Sequence, residues 1–372
     1  SLETVTFRNG DIANSEELVF DEYISNGSVS STMGVFYKAG IKQIVFPNRP
    51  ISLGGYTFKE CANIESVTFK NTLTKLGTGA FNYDYALTTV NGFENTGITE
   101  LEDYIFSAGY DAAKTGSLAS ITLPETLERI GTCVFLNQSL TSVTIPANVT
   151  YIGQSAFASN ADLTSVIFAE GSLLESFGIN VFDSDTSLEH ITLPEGVKKL
   201  RGSMFNRSAL KSIVIPASVE SLTEKRDNKG AFSGAAMLKE ITFAKGSQLK
   251  LLGEDTFAKT GIEKIEFPDT DWEIEGAGGN IFNGCANLTE VYIAKGITDI
   301  ESSITSCPSI RKIRVSEDNK YYSTDSVGAM LLDYNGLSIK YICGVIDSEI
   351  YELPEVSSIG DSVFKGQWKI RK

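Results

Sequence analysis

Residues 142–157 read SVTIPANVTYIGQSAF. Val143 and Ile145 alternate with Ser142 and Thr144, the period of a strand with one buried face. Pro146 follows at once; with no N–H to give a ladder, it ends the pairing where the chain must turn. Gly153, after Ile152, offers either a positive φ or room for close approach of a neighbouring segment. Phe157 then supplies a ring large enough to plug an interior.

The stretch recurs along the chain. Phe36, Phe58, Phe81, Phe106, Phe135, Phe157, Phe182, Phe205, Phe232, Phe257 and Phe282 are 22, 23, 25, 29, 22, 25, 23, 27, 25 and 25 residues apart. Ile304 continues the series and Phe364 closes it. Between them runs Leu-x-x-Val/Ile-x-apolar, as in Leu140–Val143–Ile145, Leu163–Val166–Phe168 and Leu238–Ile241–Phe243. A period of about 20–29 residues marks a solenoid, because one such unit cannot bury its apolar face while stacked copies share a core. The expected fold is mainly β (a β-rich α/β solenoid) of about thirteen turns, with a parallel sheet along one face. It reads as a single domain over 1–372, with a hairpin insertion at 316–349 in which Asn335-Gly336 signals a type I′ turn.

Composition narrows the classes. At 42% hydrophobic and 21% charged, the 372-residue chain is that of an ordered protein. Its net charge of −15 disfavours nucleic acid, whose phosphates need a basic surface. No apolar run is long enough for a membrane span. The opening SLETVTF lies inside a repeat and lacks a signal-peptide pattern, as in a mature or trimmed chain. Of the five cysteines, Cys61, Cys285 and Cys307 each precede a repeat's leading Ile or Leu by three residues. That shared slot suits small buried side chains, with a Cys285–Cys307 bridge as the rival.

The pattern Leu140–Val143–Ile145–Pro146, then Ile152–Gly153, Ala156–Phe157 and Leu163, resembles the BspA-like leucine-rich-repeat family. The resemblance spans nearly the whole chain and is weakest at 8–35 and 92–117. Residues 319–344 look like the hairpin module found within such arrays. The resemblance implies a secreted or surface-displayed protein of host-associated microbes, adhering to an extracellular host protein or glycoprotein.

The residues flanking the central Val or Ile of each strand should face solvent. They are small hydroxyl pairs early on (Ser66/Thr68, Ser120/Thr122, Ser142/Thr144) and become His190/Thr192, Glu240/Thr242, Lys264/Glu266, Glu290/Tyr292 and Lys312/Arg314. The candidate partner face is therefore His190, Glu240, Lys264, Glu266, Glu290, Tyr292, Lys312 and Arg314, where mixed charge selects a partner by complementarity. Insertions at 8–35, 92–117, 222–231, 269–281 and 316–349 are further candidates, since solenoid insertions often carry binding. The competing reading is a structural spacer, or a stalk associating end to end through uncovered sheet edges.

Catalysis finds little support. His190 is the sole histidine, on an exposed strand position with no nucleophile placed beside it. Zinc-ligand spacings, H-E-x-x-H and the phosphate-loop motif are absent, so neither an enzyme nor a cofactor is expected. Asp269, Asp271, Glu273 and Glu275 alternate in one insertion; they suit a solvated acidic loop or a calcium ion, though Ile274 stands where an EF-hand loop needs glycine.

Overall fold

The structure is a computed structural model that describes residues 3–7, 17–21, 24–25, 28–29, 34–224, 227, 229–270, 273–274, 280–343, 353–360 and 363. The chain divides into two compact units, Ser1–Pro194 and Glu195–Lys372.

In the first unit most coils repeat the same sides, though 117–124 and 189–193 form no regular strand. One side is a parallel strand: Thr4–Thr6, Gln43–Val45, Ser66–Thr68 and Thr89–Asn91 pair in order, and Ser142–Ile145 pairs with Ser165–Phe168. A second parallel ladder, not expected from the sequence, joins Glu100–Leu101, Arg129–Ile130, Tyr151–Ile152 and Ser176–Phe177. Between them lies a turn carrying the phenylalanine. Rings of Phe36, Phe58, Phe81, Phe106, Phe135, Phe157 and Phe182 form one column, with successive centroids 4.9, 5.3, 5.7, 5.7, 5.4 and 5.9 Å apart and planes within 15°. The expected plug is thus a continuous stack, since offset parallel rings are favoured at this spacing.

The second unit repeats the scheme. Ser212–Ile215 pairs with Glu240–Phe243, and Lys264–Glu266, Glu290–Ile293 and Lys312–Val315 form a three-stranded parallel sheet. Phe205, Phe232, Phe257 and Phe282 stack at 5.6, 5.8 and 5.9 Å. Where Ile304 replaces the phenylalanine, the turn becomes a short helix, Glu301–Thr305. The hairpin follows: Tyr322–Thr324, Met330–Asp333 and Ser338–Ile342 are antiparallel neighbours over a small core of Met330, Leu332, Ile339, Ile342 and Val363. Its turn is not type I′. Gly336 has φ +70° but Asn335 does not have positive φ; the Gly336 N–H donates to the Asp333 carbonyl, and the Asp333 carboxylate accepts from the amides of Leu337 and Ser338. The expected count of about thirteen turns and the closing Phe364 extend into residues outside the described set.

Two local devices hold the coils. Gly153 is there for proximity, not for positive φ, because a Cβ on it would land on the backbone of Gly131 one coil earlier. Positive φ instead falls two residues before and after the stacked phenylalanines, as at Ser155 (52°) and Ser159 (63°) around Phe157, or Cys133 (55°) and Asn137 (58°) around Phe135. Each such non-glycine residue costs about 1–3 kcal/mol of backbone strain. The turn is held against that cost by hydrogen bonds between coils, such as Phe135 N–H to Ala156 O at 2.8 Å and Phe58 N–H to Ala80 O at 2.8 Å.

Candidate functional site

The register brings six of the eight expected face residues together. On the three-stranded sheet of the second unit, Lys264, Glu290 and Lys312 lie in one cross-strand row, and Glu266, Tyr292 and Arg314 in the next. Val291 and Ile313 between them are fully buried, so alternation turns these rows outward. The charges do not stand apart. Arg314 bonds Glu290 at 2.9 Å and also Glu266, its guanidinium lies 5.2 Å from the Tyr292 ring centroid, and Lys264 reaches Glu290 at 3.4 Å. The Tyr292 hydroxyl donates to Asp269 at 3.0 Å. Burial pushes the Glu290 carboxyl up, but hydrogen bonds from Arg314 and Lys264 outweigh it and hold the group below the ordinary carboxylate value. Lys312 makes no ion pair among the described residues.

Glu240 is exposed on the neighbouring strand pair, and exposed His190 belongs to the first unit, where residues 189–193 form no regular strand. Among the described residues no group of three His, Cys, Asp or Glu is placed to hold a metal ion. Asp269 is engaged by the Tyr292 hydroxyl and the Lys295 amide, while Asp271, Glu275 and the Glu273 side chain lie outside the described residues. In the 222–231 insertion, Asp227 is a clamp: it accepts a two-pronged bond from Arg201 and the amides of Gly202 and Glu224.

Sequence reasoning missed a tyrosine belt on the turn side of the first unit. Tyr37, Tyr56, Tyr83, Tyr85, Tyr104 and Tyr110 crowd the coils around Phe36, Phe58, Phe81 and Phe106. Lys59 sits 5.3 Å from the Tyr56 ring centroid and 5.5 Å from that of Tyr83. The Tyr56 ring packs against Gly79, where a Cβ would collide with it. Tyr104 and Tyr110 are exposed. A signal existed: Tyr56 and Tyr104 stand two residues before a stacking phenylalanine, and Tyr83 two after.

Inside several coils a second ladder runs at the position three residues after the stacking phenylalanine, or after Ile304 in its place. There the Cys61 thiol donates to Phe36 O at 2.8 Å, Gln138 to Phe106 O at 2.5 Å, Asn160 to Phe135 O at 2.9 Å, Cys285 to Phe257 O at 3.0 Å and Cys307 to Phe282 O at 3.5 Å. Each donates to the carbonyl of the preceding coil's phenylalanine. All five cysteines are buried and no disulfide joins them, so the bridge between Cys285 and Cys307 is not formed. Burial pushes the Cys61 and Cys307 thiols up to about 12. Asp84 and Asp185 occupy the same slot, both buried, and burial pushes both carboxyls well above their ordinary value.

Comparison with known proteins agrees with this architecture. The family described as BspA type leucine rich repeat region, in six copies, matches residues 30–113, 108–226 and 228–327. A leucine-rich repeat protein from Bacteroides ovatus shares the fold at 18% identity and a TM-score of 0.51, over 97% of this chain and 75% of that one. A leucine rich cell surface protein from Faecalibacterium prausnitzii aligns at 22% identity and a TM-score of 0.41, over 84% of this chain and 91% of that one. No curated protein sequence matches the chain. With its phenylalanine column, paired short strands and family repeats covering most of its length, the chain belongs to the BspA-type leucine-rich-repeat family.

Proposed function

We propose that the chain is a binding module, displayed at a cell surface or secreted, that adheres to an extracellular host protein or glycoprotein. Leucine-rich repeats of this type typically mediate protein interaction, and proteins carrying them are typically surface or secreted bacterial proteins. No described helix is long and apolar enough to cross a membrane. In this reading the chain acts by binding, without chemistry of its own.

The observation that carries the proposal is the paired network of Lys264, Glu266, Glu290, Tyr292 and Arg314 on one short sheet. Mutual pairing holds these long side chains in place before a partner arrives, which lowers the ordering cost of binding. Arg and Tyr are also the residue types that dominate interface energetics. Because the network is close to neutral, it favours a partner of matched mixed charge over a highly charged one. Lys312 and Glu240 would extend the contact on either side; His190, in the first unit, is a separate candidate.

The test is biolayer interferometry of the full chain against extracellular-matrix and serum proteins at two salt concentrations. A saturable, salt-sensitive partner should bind Arg314→Ala and Tyr292→Ala at least about tenfold more weakly. Full affinity in both variants would remove this face. A second reading rests on the tyrosine belt, since tyrosine gives large contact area at low entropic cost. Weakening by Tyr104→Ala and Tyr110→Ala, with Arg314→Ala unaffected, would move the site there. If no partner binds at all, the spacer reading gains.

A further inference from the structure

Asp84 breaks the rule of its own ladder. Every described side chain in that slot that reaches the preceding coil's phenylalanine carbonyl does so as a donor: thiols at Cys61, Cys285 and Cys307, amides at Gln138 and Asn160. An ionised carboxylate has no proton to give. Both Asp84 oxygens are buried without a hydrogen-bond partner among the described residues, and the side chain is 3% exposed. A buried charge left so would cost far more than a neutral acid. Asp185 repeats the placement: one oxygen accepts the Asn160 backbone N–H at 2.9 Å while the other has no partner among the described residues.

We propose that Asp84 serves the first unit as a neutral carboxylic acid whose O–H takes the ladder role that the Cys61 thiol and the Asn160 amide play elsewhere, so the surrounding coils tighten on acidification and loosen when it ionises. The acceptor is the Phe58 carbonyl, by register with Cys61 to Phe36 and Asn160 to Phe135. Among the described residues no cation acts on the group to stabilise its anion. The preceding coil brings the Cys61 backbone N–H, which favours the anion but is outweighed by burial, and the carboxylate of Glu60, which repels a second negative charge; Tyr83 and Tyr85 flank the acid in the chain. The following coil passes at Ser107–Gly109, without a titratable side chain.

The direction of the pH effect follows. Burial, the largest influence, raises the folded carboxyl above its unfolded value of about 4. The ladder contribution is therefore fully present below about pH 4, and it is lost as pH climbs from there through the folded value. Asp84→Asn keeps the shape and supplies a permanent donor, as Asn160 does.

The experiment compares the full-length wild type, Asp84→Asn and Asp84→Ala by thermal unfolding at pH 4, 6 and 8, with hydrogen exchange followed over residues 58–87. Expected at pH 8 is a Tm about 2–4 °C higher in Asp84→Asn, with slower exchange in those coils. The difference should shrink to nothing by pH 4, while Asp84→Ala falls below wild type throughout. Selective carbon-13 labelling of aspartate carboxyls should show signals from Asp84 and Asp185 that do not titrate in the ordinary range, and one of them should disappear in Asp84→Asn. A wild type at least as stable as Asp84→Asn at pH 8, or no such carboxyl signal, would overturn the proposal.

Discussion

At the scale of single residues, the ladder slot explains why such different side chains share one position. Cys61, Gln138, Asn160 and Cys307 have little in common except a proton to donate toward the coil before, and each is buried where a polar group left unpaired costs about 1–3 kcal/mol. That donation, not thiol chemistry, accounts for Cys61, Cys285 and Cys307. Their reactivity should then be suppressed. With Cys61, Cys307 and Cys343 pushed up to about 12 by burial, the thiolate is scarce at neutral pH and the sulfur is covered. Native protein treated with iodoacetamide at pH 8 should remain unlabelled over hours and take up one label per cysteine once denatured; mass spectrometry reads both. Rapid labelling of the native chain at Cys61 would contradict its placement. The shared slot of Cys61, Cys285 and Cys307 was legible in the sequence, since each precedes an Ile or Leu by three residues. Asp84 precedes Leu87 and Asp185 precedes Leu188 by the same three. The slot's chemistry was not legible, because donation is defined by the carbonyl one coil away.

At the scale of elements, the strand faces were readable and the turns were not. Strand alternation depends only on the residues themselves, so Lys264/Glu266, Glu290/Tyr292 and Lys312/Arg314 emerged on the outward side as expected. Their mutual pairing depends on lateral register, which the sequence leaves open. The turn positions at Ser155, Ser159, Cys133 and Asn137 adopt positive φ although none is glycine, so composition hid them. For the same reason Asn335-Gly336 misled: Asp333 offered its carboxylate to two amides and moved the turn's left-handed residue to Gly336 alone. Where the array meets the hairpin, one residue makes four hydrogen bonds. Asn319, 1% exposed, donates to Ala294 O and Ile297 O at 2.8 and 3.0 Å and accepts from the amides of Tyr321 and Tyr322, both at 2.8 Å. Asn319→Ala strands four groups and should destabilise the second unit by about 2–4 kcal/mol, toward the upper end for single substitutions. Denaturant unfolding with hydrogen exchange over 319–342 measures it. A loss under about 0.5 kcal/mol would mean that the hairpin is held by its own small core instead.

At the scale of the whole molecule, stability within each unit is a sum of coils and the contacts between adjacent ones. The phenylalanine column makes those contacts cooperative, because each central ring touches two others. Phe157 has neighbours at 5.4 Å toward Phe135 and 5.9 Å toward Phe182, and is fully buried. Phe157→Ala should therefore cost more than the burial of one ring: about 3–5 kcal/mol for the cavity and lost transfer energy, with two stacking contacts removed inside that figure. Phe36 makes a different case. It is only partly buried and stacks on Phe58 alone in the column, so Phe36→Ala should cost clearly less. The comparison matters because a single globular core would make the two sites differ only by burial, whereas a stack of coils makes the interior site decouple its neighbours. Urea unfolding of the two variants, monitored by exchange coil by coil, separates these cases. In a stack, Phe157→Ala speeds exchange in the coils of Phe135 and Phe182 and leaves that of Phe58 near wild type. Uniform acceleration across residues 34–194 would mean that the first unit unfolds as one indivisible body, and nearest-neighbour coupling would no longer describe it.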